Sequence, residues 1–189
     1  MMWKRIFLIQ FLVFSAGLYS EILNLKFVNY KEAKVLGFDL LAEKHYLPLE
    51  ISDKEVNSVI LPLPSKVSVK VFVKGGRYRI SLCIDKMCFP PKDAGPLWYP
   101  QFVSFKIPWE KGIEREIEIK AGGGKVPKWI CYRFSDLATG YLKVNSDNYY
   151  FAFYSNKEDG RFEDENNNIF LLDIDKDGEL IYSDSAIRY

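Results

Sequence analysis

The chain has 189 residues, with 48% hydrophobic, 27% charged and 16% aromatic side chains. That composition is globular and excludes a disordered chain, and the length suits one domain with an appendage. A formal net charge of +1 gives no global field toward nucleic acid or an anionic membrane.

The N-terminus has the pattern of an export signal. Lys4 and Arg5 precede the apolar run "IFLIQFLVFSAGL", and small residues follow at Ser15, Ala16, Gly17 and Ser20. The run is shorter than the roughly 20 residues a membrane span needs. Residues 1–20 are therefore expected to be a signal peptide and the mature protein to be periplasmic or secreted. No second segment is long and apolar enough to cross a bilayer. An uncleaved anchor is the alternative. Removal of Lys4 and Arg5 leaves 24 basic against 25 acidic residues.

The only plausible helix after the signal is "YKEAKVLGFDLLAEKHY", residues 30–46, interrupted by Gly37. Beyond it the pattern has period two. Val67, Val69, Val71 and Val73 share one face of a strand, and "GG" at 75–76 marks a tight turn. Tyr78, Ile80, Leu82 and Ile84 share one face of the next strand, completing a hairpin. Val103, Phe105, Ile107 and Trp109 alternate in the same way. Ile113, Ile117 and Ile119 do so too, with Arg115 as the flaw in the pattern. "AGGGK" at 121–125 reads as a turn or linker, and "WICYRF" and "NYYFAFY" as aromatic strands. Short strands with frequent turn signals predict a mostly β fold, an antiparallel β-sandwich over 21–125. A small acidic β extension is expected over 126–189.

Three cysteines are present, Cys83, Cys88 and Cys131. Three cysteines allow three single pairings, each with one thiol left over. Four residues separate Cys83 from Cys88, which suits a looped turn within disulfide reach. Such a pair can be a structural staple, a redox couple or part of a metal clip. Cys83–Cys131 and Cys88–Cys131 are the other pairings. The single His45 lacks the partners of a zinc site.

Charge shifts toward the C-terminus. From Ser155 to Ser185 ten acidic residues face only Lys157, Arg161 and Lys176. "DIDKDGELIYSD", Asp173 to Asp184, follows the calcium-loop rule D-x-[DN]-x-[DN]-G. Asp173, Asp175 and Asp177 stand at positions 1, 3 and 5, Gly178 at 6, Glu179 at 7 and Asp184 at 12. Hard Ca²⁺ takes six to eight oxygens, and alternate carboxylates around a glycine turn can supply them. The stretch resembles an EF-hand loop, but its flanks read as strands rather than helices. Expected metal ligands are Asp173, Asp175, Asp177, Glu179 and Asp184. "SNKEDGRFEDEN", residues 155–166, is a weaker second candidate, and an acidic Asp-Gly hairpin without an ion is the alternative.

"CIDKMCFPPK" is similar to the cysteine motif in the periplasmic N-terminal domain of the thiol:disulfide interchange protein DsbD. That resemblance covers about 30 residues, from near Val67 to Lys92. It implies an immunoglobulin-like sandwich whose Cys83 and Cys88 exchange electrons with other proteins, with Pro90 and Pro91 shaping the turn. Two functions follow as expectations. One is an exported, non-catalytic binding or structural module with a calcium-binding acidic loop and a protein partner outside the cytoplasm. The other is a periplasmic thiol–disulfide exchange domain.

Overall fold

The computed structural model describes residues 20–50, 56–63, 66–109, 113–157 and 168–182. The proposed signal segment lies outside them, apart from Ser20, as do most of the second acidic stretch and Asp184. Among the described residues no helix is long and apolar enough to cross a membrane. The protein is mostly β with antiparallel sheets. It divides into two compact units: the described residues up to Glu43 with those from Asp136 onward, and those of Lys44–Ser135.

The middle unit carries β3 (His45–Pro48), β4 (Asn57–Ile60), β5 (Val67–Lys74), β6 (Arg77–Ile84), β7 (Met87–Cys88), β8 (Lys92–Pro96), β9 (Val103–Pro108), β10 (Glu114–Gly122) and β11 (Trp129–Phe134). One sheet has the order β4-β5-β6-β7, with β8 also on β6, and the other the order β3-β11-β10-β9. The expected alternation is present. Val67, Val69 and Val71 are fully buried, as are Tyr78, Ile80 and Leu82 on the partner strand. Gly75 and Gly76 form the two-residue turn with φ 59° and 71°. Two left-handed residues give the turn a twist that matches the strands, which is why glycine stands at both. On the second sheet Ile107, Ile117, Ile119 and Ile130 are buried.

Arg115 breaks the apolar pattern yet is only 1% exposed. Its guanidinium carbon lies 4.6 Å from the Phe134 ring centre and 5.2 Å from that of Trp109. A weakly hydrated planar cation on two π faces is a compatible tenant of an apolar layer. Beside it, on the other face of β10, Glu118 accepts from Arg133 (2.8–2.9 Å). The glycine run after β10 is the turn into β11, where Gly122 pairs with Trp129.

The other unit is assembled from both ends of the described chain. It contains β1 (Ser20–Asn29), β2 (Val35–Leu36), the short helix α1 (Phe38–Leu41), β12 (Asp136–Val144), β13 (Asp147–Ser155), β14 (Asn168–Leu172) and β15 (Leu180–Ile181). The sheet order is β1-β12-β13-β14, and β15 runs parallel to β2. The helix expected over 30–46 is therefore a single turn, and its flanks join strands. Gly37 is the cause: at φ 77° it sets a left-handed corner, and a side chain there would meet the Tyr182 carbonyl at 3.1 Å. Phe38 of α1 stacks on Tyr30 (3.9 Å between centres) and meets the edge of Tyr154 (5.5 Å). Asn156 fixes the exit from α1. Its Nδ2 donates to the Leu41 carbonyl (2.9 Å) and its Oδ1 accepts from the Glu43 N–H (2.8 Å).

Between the pairs Leu23–Tyr141 and Lys26–Thr139, β1 bulges, with Asn24 at φ 56°. Gly140 lies opposite the bulge. A Cβ there would stand 2.9 Å from the Leu23 carbonyl and 3.1 Å from the Phe151 ring, so only glycine fits.

Candidate functional site

Two of the expected sites lie among the described residues, one in each unit. The acidic loop begins where β14 ends. The Asp173 N–H donates to the Tyr150 carbonyl (2.9 Å), adding one bond beyond the β13–β14 ladder. On the far side, the Leu180 N–H donates to Lys34 (3.2 Å) and the Tyr182 N–H to Leu36 (3.1 Å). The loop is thus held at both ends by backbone bonds to two different strands. Inside it, Asp173 Oδ2 accepts from the Gly178 N–H (3.0 Å) and Asp177 Oδ1 from the Glu179 N–H (2.8 Å). Lys176 and Gly178 take left-handed backbone at φ 62° and 82°. Those corners fold the loop back so that Asp173, Asp175 and Asp177 converge. One oxygen from each lies within 4.8 Å of the others.

The three carboxylates differ in exposure. Asp175 and Asp177 face solvent, whereas Asp173 is 4% exposed. Its Oδ1 is buried without a hydrogen-bond partner. A buried carboxylate oxygen in that state is costly, and a cation beside it relieves the cost. The loop's own cation does not do so. Lys176 Nζ pairs with Asp147 Oδ1 (2.5 Å) and lies over the Tyr149 ring (4.7 Å). That pairing raises the Lys176 pKa, chiefly through the hydrogen bond to Asp147. The arrangement can hold a metal ion through the triad. The flanking elements are the strands β14 and β15, as the sequence reading expects.

The cysteine pair sits in the β6–β7 hairpin. Cys83 and Cys88 are directly opposite each other and form a disulfide, with Cα atoms 3.9 Å apart. The turn is Asp85–Lys86, with Asp85 left-handed at φ 53°. Phe89 closes the hairpin through its N–H to Leu82 (2.8 Å) and its carbonyl to Ser81 Oγ (2.7 Å). Pro90 and Pro91 cannot donate, so pairing with β6 stops there and resumes in β8 at Lys92. Cys83 is 3% exposed while Cys88 faces solvent.

Cys131 is the remaining free thiol, and it is buried. This disposes of the two alternative pairings through Cys131. Burial pushes the Cys131 thiol pKa up, against a hydrogen bond with Tyr46 and nearby lysines and Arg133 that pull it down. His45 packs against the Tyr132 ring, 5.4 Å between centres.

The triad is legible in the sequence, but its surroundings are not. The bulge at Asn24 and the residues that β1, β12 and β13 bring beside the loop carry no local motif. Their pairing is non-local, and only the isolated Gly140 within a strand pattern signals a bulge or close approach. No protein-family model matches the chain, and neither curated proteins nor solved structures match it.

Proposed function

We propose that this protein is an exported, non-catalytic binding or structural module in which calcium locks the acidic loop. The observation that carries the reading is the buried, unpartnered oxygen of Asp173 within a triad of converging carboxylates. All-oxygen ligation is the chemistry of hard divalent cations. In the EF-hand-like assignment Asp173, Asp175 and Asp177 are the carboxylate ligands and Glu179 adds its backbone carbonyl. Asp184, the twelfth position, lies outside the described residues. The mechanism is linkage: an ion that binds the folded loop and not the unfolded chain stabilises the fold. The partner is a protein outside the cytoplasm. The reading predicts calcium binding by calorimetry, with magnesium weaker because it demands tighter octahedral geometry. A flat calcium titration of the full chain would falsify it.

For residues 44–135 we read the two sheets as a β-sandwich. The fully buried faces of β5 and β6 in one sheet, and of β9 and β10 in the other, support this. Strand pairing follows chain order in β4-β5-β6 and in β9-β10-β11. That is a meander, unlike the exchanged order of an immunoglobulin domain.

A second reading, thiol–disulfide exchange, is favoured by the exposure of Cys88 on the short strand β7 beside β6. A partner thiolate would attack Cys88 Sγ, forming a mixed disulfide and releasing Cys83 as the thiolate. The partner's second thiolate would then attack its own sulfur in the mixed disulfide, leaving the partner oxidised and releasing Cys88 as a thiolate. In the reverse direction Cys83 resolves the adduct, so its removal traps it. Cys83→Ser should accumulate the mixed disulfide through Cys88 in exported protein. Absence of any such adduct counts against exchange.

A further inference from the structure

The acidic loop forms one wall of an open groove of about 540 Å³, contained within the unit built from the chain ends. Asp173, Lys176 and Gly178 line it from the loop, and the bulged β1 contributes Asn24 and Lys26. β12 and β13 contribute Tyr141, Asn148 and Tyr150. A strained left-handed Asn24 is a common device for re-aiming a side chain beside a site.

The chemistry of the lining is specific. Lys26, Lys34 and Lys176 line the groove beside the carboxylates of Glu32 and Asp173, and Lys176 is already paired with Asp147. Lys26 is engaged by Glu32 at 3.4 Å, and Lys34 makes no ion pair among the described residues. Tyr141, 43% exposed, packs beside Tyr150 with ring centres 5.4 Å apart and leaves an aromatic surface open to the groove. The Asn24 and Asn148 amides supply both donors and acceptors. Three Asp side chains and one backbone carbonyl need not fill the six to eight positions of calcium.

We propose that this groove binds an acidic saccharide, a sugar carrying a carboxylate. Its carboxylate completes the ion's shell and meets Lys34, its apolar ring face lies on Tyr141, and its hydroxyls meet the asparagine amides. The proposal rests on the reading that the loop holds calcium. A phosphate or an isolated peptide carboxylate would use the lysines and the ion but would leave the tyrosine face and both amides idle. A neutral sugar would leave Lys34 without a counter-charge.

The test is calorimetry on the full chain in two stages. Calcium is titrated first, then tri-galacturonic acid into the calcium-loaded protein, with galactotriose as the neutral control. The expected result is binding of the acidic trimer only, lost when EGTA removes the ion. Truncating an aromatic anchor costs more than about 1 kcal/mol, so Tyr141→Ala should weaken the trimer by about fivefold to tenfold. Lys34→Gln should weaken it as well, and both variants should keep the calcium affinity of the wild type. Calcium binding without trimer binding overturns the saccharide proposal alone. So does equal binding of the neutral trimer, binding that persists in EGTA, or an unchanged affinity in Tyr141→Ala. Failure of the first titration overturns both the calcium reading and this one.

Discussion

Asp173→Asn tests the ion site most directly, because the structure assigns opposite signs to it in two conditions. Without an ion, Asp173 Oδ1 is buried and unpartnered, and two further carboxylates lie within 4.8 Å. Asparagine has the same size and keeps an acceptor for the Gly178 N–H, now at 3.0 Å from Oδ2. It removes one of three converging charges. A buried unsatisfied group costs about 1–3 kcal/mol, so in chelator the variant should equal the wild type or exceed it by up to about 2 kcal/mol. With calcium at a hundred times its Kd, linkage adds about 2.7 kcal/mol to the wild type and almost nothing to the variant. A unit of 60–100 residues gains about 4–8 °C per kcal/mol, so the wild-type rise should be about 10–20 °C. The stability order of the two proteins therefore inverts between chelator and calcium. Three of the four tryptophans, Trp98, Trp109 and Trp129, belong to residues 44–135 and the fourth, Trp3, to the expected signal peptide, so in the mature protein tryptophan fluorescence reports the other unit. Differential scanning calorimetry, compared with the tryptophan-detected melt of residues 44–135, separates the transition of the relevant unit. A variant that retains the calcium-induced rise, or that is less stable than wild type in chelator, refutes the reasoning.

Three further outcomes are expected. The Cys83–Cys88 disulfide closes only a short loop, so reducing it with dithiothreitol should lower the stability of residues 44–135 by no more than about 2 kcal/mol. In the reduced protein, brief alkylation followed by mass spectrometry should modify the exposed Cys88 before Cys83 and Cys131. Arg115→Ala empties the space between Trp109 and Phe134 and removes both cation–π contacts, costing about 3 kcal/mol in denaturant unfolding; a loss under 1 kcal/mol would contradict its assigned place. Asp93 is held below the ordinary carboxylate value of 3.8, first by the Arg77 hydrogen bond and then by the Gly95 N–H. Its contribution is present above that value and is lost as pH falls through the lower, folded one. Asp93→Asn should accordingly flatten the acid limb of the tryptophan-detected melting profile below about pH 4, and an unaltered limb would show that the contact is screened out.

What the sequence disclosed was local. The β5–β6 hairpin is legible because valine alternation and Gly75–Gly76 both specify it, and the aspartate triad because its spacing is a property of one loop. Arg115 reads as an error in the pattern until two aromatic rings from separate strands are placed around it. The segment 30–46 has helical spacing, but the corner at Gly37 and the pairing of Val35–Leu36 with Leu180–Ile181 override that preference. The registers Ser20–Val144 and Asn29–Asp136 are equally invisible to periodicity. A repeat of two shows which face is apolar and is silent about which distant strand will cover it. The groove beside the acidic loop depends entirely on those pairings.

The pairing of β1 with β12 also has a consequence for biosynthesis. On a ribosome adding about 5–20 residues per second, Asn29 emerges several seconds before its neighbour Asp136, roughly a hundred residues later. During that interval β1 is an edge without a companion, and by its end residues 44–135 contain every strand of their own two sheets. The nascent chain should therefore pass through a half-built state with one finished body and one waiting strand. Translation pauses after residue 135, or agents that occupy the orphan strand, would then govern the yield of native protein.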